Sequence, residues 1–454
     1  MMGFTHAVRL IESKCKGCVN CIKHCPTEAI RVRDGKASIL EERCIDCGEC
    51  VRICPNSAKE VVSNSIESIR RFRYTVALPA PAIMGQFREG TPPEKVLAAF
   101  YELGFDEVMD VSFGADLVAA KSRELISRSS IRPIISSACP AVVRLIQVRF
   151  PNLVENIAPI SSPMECAAQI ARIEIAKREG IPDEDIGVFF ITPCPAKVNA
   201  VSEPVGYKTS FINGAIPISA VYPLIQQVVS KNRMPDKKPL RMGSGLGIGW
   251  ARAGGENQSI GTDKHLSVDG IHNVASILED VERGKLSDIS YIEAQSCVGG
   301  CVGGVLNVEN CFITRRRVRI LASDAAPEVT QEWLQWMREG LAMDVFRLEE
   351  TLKPRPGLKL DEDVSKAIQK LAALERIVEE LPGLDCGSCG APNCRALAED
   401  IVRGYASETD CVFKLREKVK LLAEELMLMA AKMPPSMGKG EKADKQDVVE
   451  QTDK

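Results

Sequence analysis

Two cysteine runs constrain this chain more than any other feature. Cys15, Cys18, Cys21 and Cys25-Pro26 form a Cys-x2-Cys-x2-Cys-x3-Cys-Pro run, and Cys44, Cys47, Cys50 and Cys54-Pro55 repeat it. Of the ways to use so many thiols, disulfides suit a secreted protein. The chain opens Met1-Met2-Gly3-Phe4-Thr5-His6, without the basic and apolar regions of a secretory leader. With four His among 454 residues, zinc sites of the Cys/His kind have few ligands to draw on. Repeated spacings of two and three suit thiolate-bound iron–sulfur clusters better than bridges. The expectation is a reducing, cytoplasmic and anaerobic setting.

The doubled run has the spacing of two-cluster bacterial ferredoxins, where the fourth Cys of each run ligates the other cluster. That resemblance implies one [4Fe-4S] cluster on Cys15, Cys18, Cys21 and Cys54. A second falls on Cys44, Cys47, Cys50 and Cys25. Two adjacent clusters imply an electron relay. Residues 56–72 read as a polar, mildly helical linker.

Composition narrows the rest. Hydrophobic residues make up 45% of the chain, enough for substantial cores, and the net charge is -3, so nothing argues for nucleic acid or an anionic membrane. Three Trp and six Tyr also leave little for base stacking. No apolar run approaches the length of a membrane span.

From Tyr74 onward apolar strands alternate with helices: a strand at Thr75–Leu78, a helix at Pro92–Leu103, a strand at Phe105–Val111 and a helix at Asp116–Arg128. Such alternation predicts parallel sheets covered by helices. Three later strands run directly into cysteine-bearing loops. Ile131–Ile135 leads to Ser136-Ser137-Ala138-Cys139-Pro140, and Gly187–Ile191 leads to Thr192-Pro193-Cys194-Pro195-Ala196-Lys197. Ile289–Ile292 leads to Glu293-Ala294-Gln295-Ser296-Cys297-Val298-Gly299-Gly300-Cys301-Val302-Gly303-Gly304. Ligands of open α/β sheets sit outside the carboxyl ends of strands. Cys139, Cys194, Cys297 and Cys301 therefore have one place to meet, and four thiolates are the ligand set of a four-iron cluster. Ordinary buried cysteines are the competing reading for each alone.

Residues 75 to about 320 resemble the catalytic domain of [FeFe]-hydrogenases. That family carries Thr-Ser-Cys-Cys-Pro, then Pro-Cys-x-x-Lys, then Glu-x-Met-x-Cys-x-Gly-Gly-Cys-x-x-Gly-Gly. Here these stand as Ser136–Pro140, Pro193–Lys197 and Glu293–Gly304. Gly104-Phe105-Asp106 and Ala115-Asp116-Leu117 match as well. The resemblance implies that Cys139, Cys194, Cys297 and Cys301 hold the cubane of an H-cluster. Cys301 would bridge to a diiron unit carrying CO, cyanide and a dithiolate. Lys197 would hydrogen-bond a cyanide and hold that unit in place.

The departures concern protons. The family's proton-delivering Cys precedes the ligand Cys, and here that position is Ala138. Residues near Lys121 and Ser122 replace the acidic pair after Ala-Asp-Leu. Thr192 and Gln295 stand where the family has Met. The cofactor scaffold is kept while its proton wire is cut, a combination that resembles the sensory subgroup of the family. Water, Ser136, Ser137 and Glu165 are the available substitutes. Cys166 and Cys311 fit no ligand set and read as core thiols. The run Gly243–Gly249 lacks the context of a dinucleotide loop and reads as backbone packed near the site. Arg315, Arg316, Arg317 and Arg319, alternating with Val318 and Ile320, read as an edge strand with a charged face, a docking site for an acidic partner being the alternative.

Helices are expected at Glu328–Leu348 and Asp361–Leu381. Cys386, Cys389, Cys394 and Cys411 follow, and Leu384–Cys411 resembles a small four-iron module of corrinoid iron–sulfur proteins and membrane electron-transfer subunits; zinc is its rival. A helix at Phe413–Lys432 carries Leu415, Val419, Leu422, Leu426 and Met429 at heptad positions. Packing onto its own chain is the first reading of that stripe, a homodimer or partner the second. Pro434–Lys454 reads as disordered.

The expected fold is α/β throughout its centre. It comprises a ferredoxin-like two-cluster domain (1–72), a two-lobed hydrogenase domain with mixed or parallel sheets (73–325), a helical connector (326–382), a small α-helical four-Cys module with its C-terminal helix (383–432) and a tail (433–454). The expected function is slow, reversible oxidation of H2 to protons and electrons in the service of H2 sensing. A redox partner such as ferredoxin and a signalling partner are implied. The alternatives are a fast hydrogenase with a rerouted proton path and a non-hydrogenase iron–sulfur electron carrier.

Overall fold

A computed structural model describes residues 6–231, 237–324, 330–355, 357 and 359–432. The chain divides into two compact units, Met1–Lys359 and Leu360–Lys454.

The first unit begins with β1 (Val8–Leu10), α1 (Asn20–Lys23), β2 (Ile30–Arg33), β3 (Lys36–Ile39), α2 (Glu49–Arg52) and β4 (Lys59–Val61). β1 pairs antiparallel with β4, and β2 with β3. The internal repeat shows in the backbone: Ala29 N–H donates to Cys25 Sγ at 3.2 Å, and Ala58 N–H donates to Cys54 Sγ at 3.3 Å. The expected helical linker at 56–72 is corrected here. Its start is β4, the closing strand of this subdomain, and a 3-10 turn follows at Ile66–Arg71.

Next come β5 (Tyr74–Pro79), α3 (Pro93–Glu102), β6 (Glu107–Val108), α4 (Val111–Arg128), β7 (Ile134–Ile135), α5 (Pro140–Arg149) and α6 (Pro163–Glu179). They are followed by β8 (Ile186–Thr192), α7 (Pro195–Ser202), β9 (Gly214–Pro217), α8 (Ile218–Val229), α9 (Gly245–Gly249) and α10 (Gly255–Ile260). The series ends with β10 (His265–Asp269), α11 (Ile271–Glu282), β11 (Tyr291–Gln295), α12 (Cys311–Asp324) and α13 (Gln331–Ala342). The strands form two sheets, β6-β5-β8-β9 and β10-β11-β7, and every pairing in both is parallel. β8 is buried along its whole length, as expected of a central parallel strand covered on both faces.

α4 starts at Val111, earlier than expected, because the Asp110 carboxylate accepts the Ser112 N–H at 2.9 Å and caps the helix. The Arg315–Arg319 run is helical, not an edge strand. Thr314 and Val318 are both fully buried, and a Cβ on Gly85 would meet them at 2.6 and 2.9 Å. Spacings of four and then three from Thr314 to Val318 to Leu321 set a helical face that the local Arg/Val/Ile alternation masked.

The second unit contains α14 (Val364–Glu380), α15 (Cys394–Val402) and α16 (Val412–Ala430). Asp363 caps α14 through the Lys366 N–H at 3.0 Å, so the helix begins at Val364, inside the expected Asp361–Leu381 span. Leu374, Leu381, Leu397 and Ala398 form its small core. Residues 328 and 329, the start of the expected Glu328–Leu348 helix, and the tail at 433–454 lie outside the described residues; the described part of that helix is α13, which ends at Ala342.

Candidate iron–sulfur and active-site cavity

The two sheets point three strand ends at one cavity. β8 ends at Thr192, whose hydroxyl accepts the Cys194 N–H at 3.1 Å, and Cys194 then caps α7 with Pro195 in its first turn. Cys139 caps α5 in the same way, followed by Pro140. Proline suits the first helical turn, where its missing N–H has no intrahelical partner to lose. Each thiol is thus set at a helix amino end, where the dipole favours a thiolate.

The third strand, β11, delivers Cys297 and Cys301 through the glycine loop. Gly300 adopts φ +92, and a Cβ there would stand 2.3 Å from Gln295 Oε1 and 2.5 Å from Ala253 N. Only glycine satisfies both constraints without displacing backbone. Gly304 lies so close to Pro193 that a Cβ would meet its carbonyl oxygen at 2.3 Å, and Leu306 N–H donates to that same oxygen at 3.1 Å. These contacts clamp the Cys301 loop onto the Cys194 loop.

Cys139, Cys194, Cys297 and Cys301 all line the cavity, together with Lys197 and Ala138. Burial pushes the Cys194 thiol up to about 12, and its neighbours Cys139 and Cys301 push the same way. Cys297 and Cys301 are raised for the same first reason, with Lys197 opposing at Cys301. Cys194, Cys297 and Cys301, whose ionisation burial opposes, need a cationic centre to become thiolates together. Two further atoms suit a bound group. Ser296 Oγ and Gln295 Oε1 belong to cavity-lining residues and are buried without a hydrogen-bond partner among the described residues. Lys197 Nζ lies 5.4 Å from the centre of the Phe190 ring, and the wall is otherwise largely apolar, from Val111 and Pro163 to Trp250. The site therefore fits a multi-iron cluster with an anionic appendage. Among the described residues no three Cys, His, Asp or Glu gather as ligands of one ion do.

Glu256, on α10, also lines this cavity. It accepts from Ser136 Oγ at 2.8 Å and from Tyr291 OH at 2.6 Å. Burial, then the neighbouring Glu293, raises it to about 8. Glu293 is raised by burial too, but it accepts backbone N–H groups of Gly254 at 2.8 Å and Asn257 at 2.9 Å. Backbone N–H groups can only donate and so favour a Glu293 carboxylate, whereas the hydroxyls facing Glu256 can also accept from a protonated carboxyl; the shared proton is therefore assigned to Glu256. Sequence reading missed Glu256: it follows Gly254-Gly255 in a segment without periodicity. Glu293, the first residue of the third signature, was the only pointer to a carboxylate here.

Of the other substitutes, Ser137 donates to Ile160 O at 2.7 Å, and Glu165 accepts from Ser210 Oγ at 2.6 Å and Phe211 N at 3.1 Å. Cys166 is a core thiol, fully buried 3.4 Å from Val345 O. Cys311 is half-buried at the start of α12. The Gly243–Gly249 run packs on α4, where Ser244 Oγ donates to Asp116 Oδ1 at 2.7 Å, and leads into Trp250 and Ala251 of the cavity wall.

The ferredoxin-like cysteines lie in two groups. Cys21 has Cys18, Cys15 and Cys54 as charge neighbours, while Cys47 has Cys25, Cys50 and Cys44. The second group abuts the cavity: a Cβ on Gly48 would meet Val305 at 3.0 Å and Pro195 at 3.3 Å, and Arg52 donates to Gly303 O at 2.7 Å. Asp46, between Cys44 and Cys47, anchors this contact. Its fully buried carboxylate pairs with Arg144 at 3.2 Å and accepts from Asn199 Nδ2 and Ala7 N, both at 2.8 Å. In the second unit Cys389 has Cys386 and Cys411 as charge neighbours, and Cys394 packs in the same cluster.

Fold and site together describe an α/β protein with cysteine sets suited to iron–sulfur clusters. Comparison with known proteins narrows this further. Residues 73–262 match the family described as "Iron only hydrogenase large subunit, C-terminal domain", residues 7–55 a 4Fe-4S dicluster domain, and residues 381–413 a putative Fe-S cluster domain. The NADP-reducing hydrogenase subunit HndD of Solidesulfovibrio fructosivorans is 30% identical over 226 residues, 44% of this chain but only 34% of that protein. The periplasmic [Fe] hydrogenase large subunit of Nitratidesulfovibrio vulgaris is 26% identical, covering 66% of this chain and 86% of that one. A probable cytosolic Fe-S cluster assembly factor of Caenorhabditis elegans is 22% identical, covering 52% and 62%. A solved [FeFe]-hydrogenase structure from Chlamydomonas reinhardtii superposes with a TM-score of 0.48 at 15% identity, covering 64% and 97%. Over residues 73–262 the chain is thus similar to iron-only hydrogenases, and it spans only 34% of the length of HndD. No described helix is long and apolar enough to cross a membrane.

Proposed function

We propose that this protein interconverts H2 with protons and electrons at an H-cluster, slowly, and reports the presence of H2. The observation that carries the reading is one cavity lined by Cys139, Cys194, Cys297, Cys301 and Lys197, with Ala138 where a proton-carrying side chain is expected. An H-cluster bound there supplies the splitting of H2 to two protons and two electrons. The thiolates of Cys139, Cys194, Cys297 and Cys301 would hold its iron–sulfur part, and Lys197 would donate a hydrogen bond to an anionic ligand of the group. Val111, Pro163, Phe190 and Trp250 exclude water. A methyl group at Ala138 cannot take a proton, which is the basis for slow turnover. Glu256 holds one within the cavity instead, hydrogen-bonded to Tyr291 and Ser136.

Cys44, Cys47, Cys50 and Cys25, whose loop lies against Val305 and Pro195, would hold one [4Fe-4S] cluster beside the cavity. Cys15, Cys18, Cys21 and Cys54 would hold a second, and together they would supply an electron relay to a ferredoxin-type partner. Cys386, Cys389, Cys394 and Cys411 would hold a further [4Fe-4S] cluster, available to a signalling partner.

Glu256 also supports a second reading, a faster hydrogenase with a rerouted proton path. The similarity to an Fe-S assembly factor supports a third, in which only cubanes bind and no H2 chemistry occurs. Infrared spectra of protein matured with its diiron unit, taken with and without H2, test all three. CO and cyanide bands that shift under H2 are expected. A turnover assay then separates the first reading from the second, and absence of bands after correct maturation leaves only the third.

A further inference from the structure

The second unit ends in a helix with no covered face. α16 spans 19 residues, none of them buried. Leu415, Val419, Leu422, Leu426 and Met429 are exposed by 44 to 66%. They continue from Val412 at spacings of three and four, a seam of three a and three d positions. A helix this short is marginal in water unless such a stripe is covered. The 22 residues that follow, Met433–Lys454, contain only Met433, Met437, Ala443, Val448 and Val449 as apolar side chains, so they are a poor cover.

The charges beside the seam choose an occupant. Lys414 pairs with Glu417 at 3.6 Å and Lys420 with Glu424 at 3.9 Å, within the helix. Lys418 and Glu425 flank the seam at g positions and have no ion-pair partner among the described residues. In an antiparallel pair of α16 helices, Val412 meets the partner's Met429, Leu415 meets the partner's Leu426, and Val419 meets the partner's Leu422. All six apolar residues are then covered, and the same register sets Lys418 against the partner's Glu425 and Glu425 against the partner's Lys418. A parallel, in-register pair faces these two charges with the partner's Ala423 and Ala430 and gains nothing from them. Antiparallel packing also opposes the two helix dipoles.

We propose that α16 of a second copy of this chain covers this face, forming an antiparallel, two-fold symmetric helix pair. Because Cys411 caps α16, each copy's cluster module then stands at the carboxyl end of the partner helix. The inference does not depend on the chemistry of the central cavity.

Sedimentation equilibrium of the full chain, anaerobic and cluster-loaded, tests it across a concentration series. The wild type is expected to dimerise. Leu422→Glu should yield a monomer with unchanged iron content and unchanged helical circular dichroism. Lys418→Glu alone and Glu425→Lys alone should each weaken the dimer about tenfold, since two attractive pairs become repulsive. Both changes in one chain should restore it, and a mixture of the two single variants should form the heterodimer. A wild type that is monomeric throughout overturns the proposal, as does a dimer indifferent to Leu422→Glu. Failure of the double exchange to restore the dimer overturns the antiparallel pairing.

Discussion

Glu256 and Lys197 divide the polar work of an otherwise apolar cavity. Glu256→Gln keeps the side-chain shape and removes the proton. If Glu256 relays protons, turnover should fall about 100- to 10,000-fold, while the infrared bands of the matured protein stay in place. The pH dependence has a definite sign. Burial raises Glu256 to about 8, so it is an acid below that pH and a carboxylate above it. H2 evolution, which consumes a proton, should decline as pH rises through about 8, and the bend should vanish in Glu256→Gln. Lys197→Ala addresses the cofactor instead. It should lose the CO and cyanide bands while the electron paramagnetic resonance of the cubanes persists.

At the scale of elements, two loops do most of the positioning. The Gly299–Gly304 loop is folded tightly enough that Gly300→Ala puts a methyl group on Gln295 and on the Ala253 amide. Iron content should fall by one cubane plus the diiron unit, with the ferredoxin-like clusters unaffected. The Cys44–Cys47 loop docks through Asp46. Burial disfavours both charges, raising Asp46 and lowering Arg144, and their mutual attraction opposes each shift. Such a pair contributes little net stability compared with an apolar contact, but breaking it strands a buried guanidinium. Asp46→Ala should cost about 3 kcal/mol in denaturant unfolding. It should also slow electron exchange between the cavity and the ferredoxin-like clusters.

At the scale of the whole molecule, the division after Lys359 separates the cavity and the ferredoxin-like clusters from the four-Cys module. The core of each unit is its own: α13 contributes Met337 to the first, and α14 contributes Leu374 to the second. A chain ending at Lys359 should fold, carry one [4Fe-4S] cluster fewer by iron analysis, and keep the infrared bands and turnover. If signalling runs through the second unit, the truncated chain should lose the response to H2 in cells and nothing else.

Cysteine spacing by itself marked the doubled Cys run, while its crossed grouping of Cys54 with Cys15 and of Cys25 with Cys44 came from the resemblance to two-cluster ferredoxins. Strand endings followed by cysteine likewise marked Cys139, Cys194, Cys297 and Cys301, because a strand and a thiol follow one another in sequence; Lys197 came from the resemblance to the hydrogenase signature. The helix at Cys311–Asp324 was misread because its buried face, Thr314 and Val318, is defined by the turn at Gly85, more than two hundred residues away. Glu256 and Asp46 were illegible for the same reason. A carboxylate becomes a proton holder or an anchor only when folding removes its water and supplies Tyr291 and Ser136, or Arg144 and Asn199, as partners. Thiol ligands announce themselves by spacing along the chain, whereas buried charges are defined by neighbours that only the tertiary structure provides.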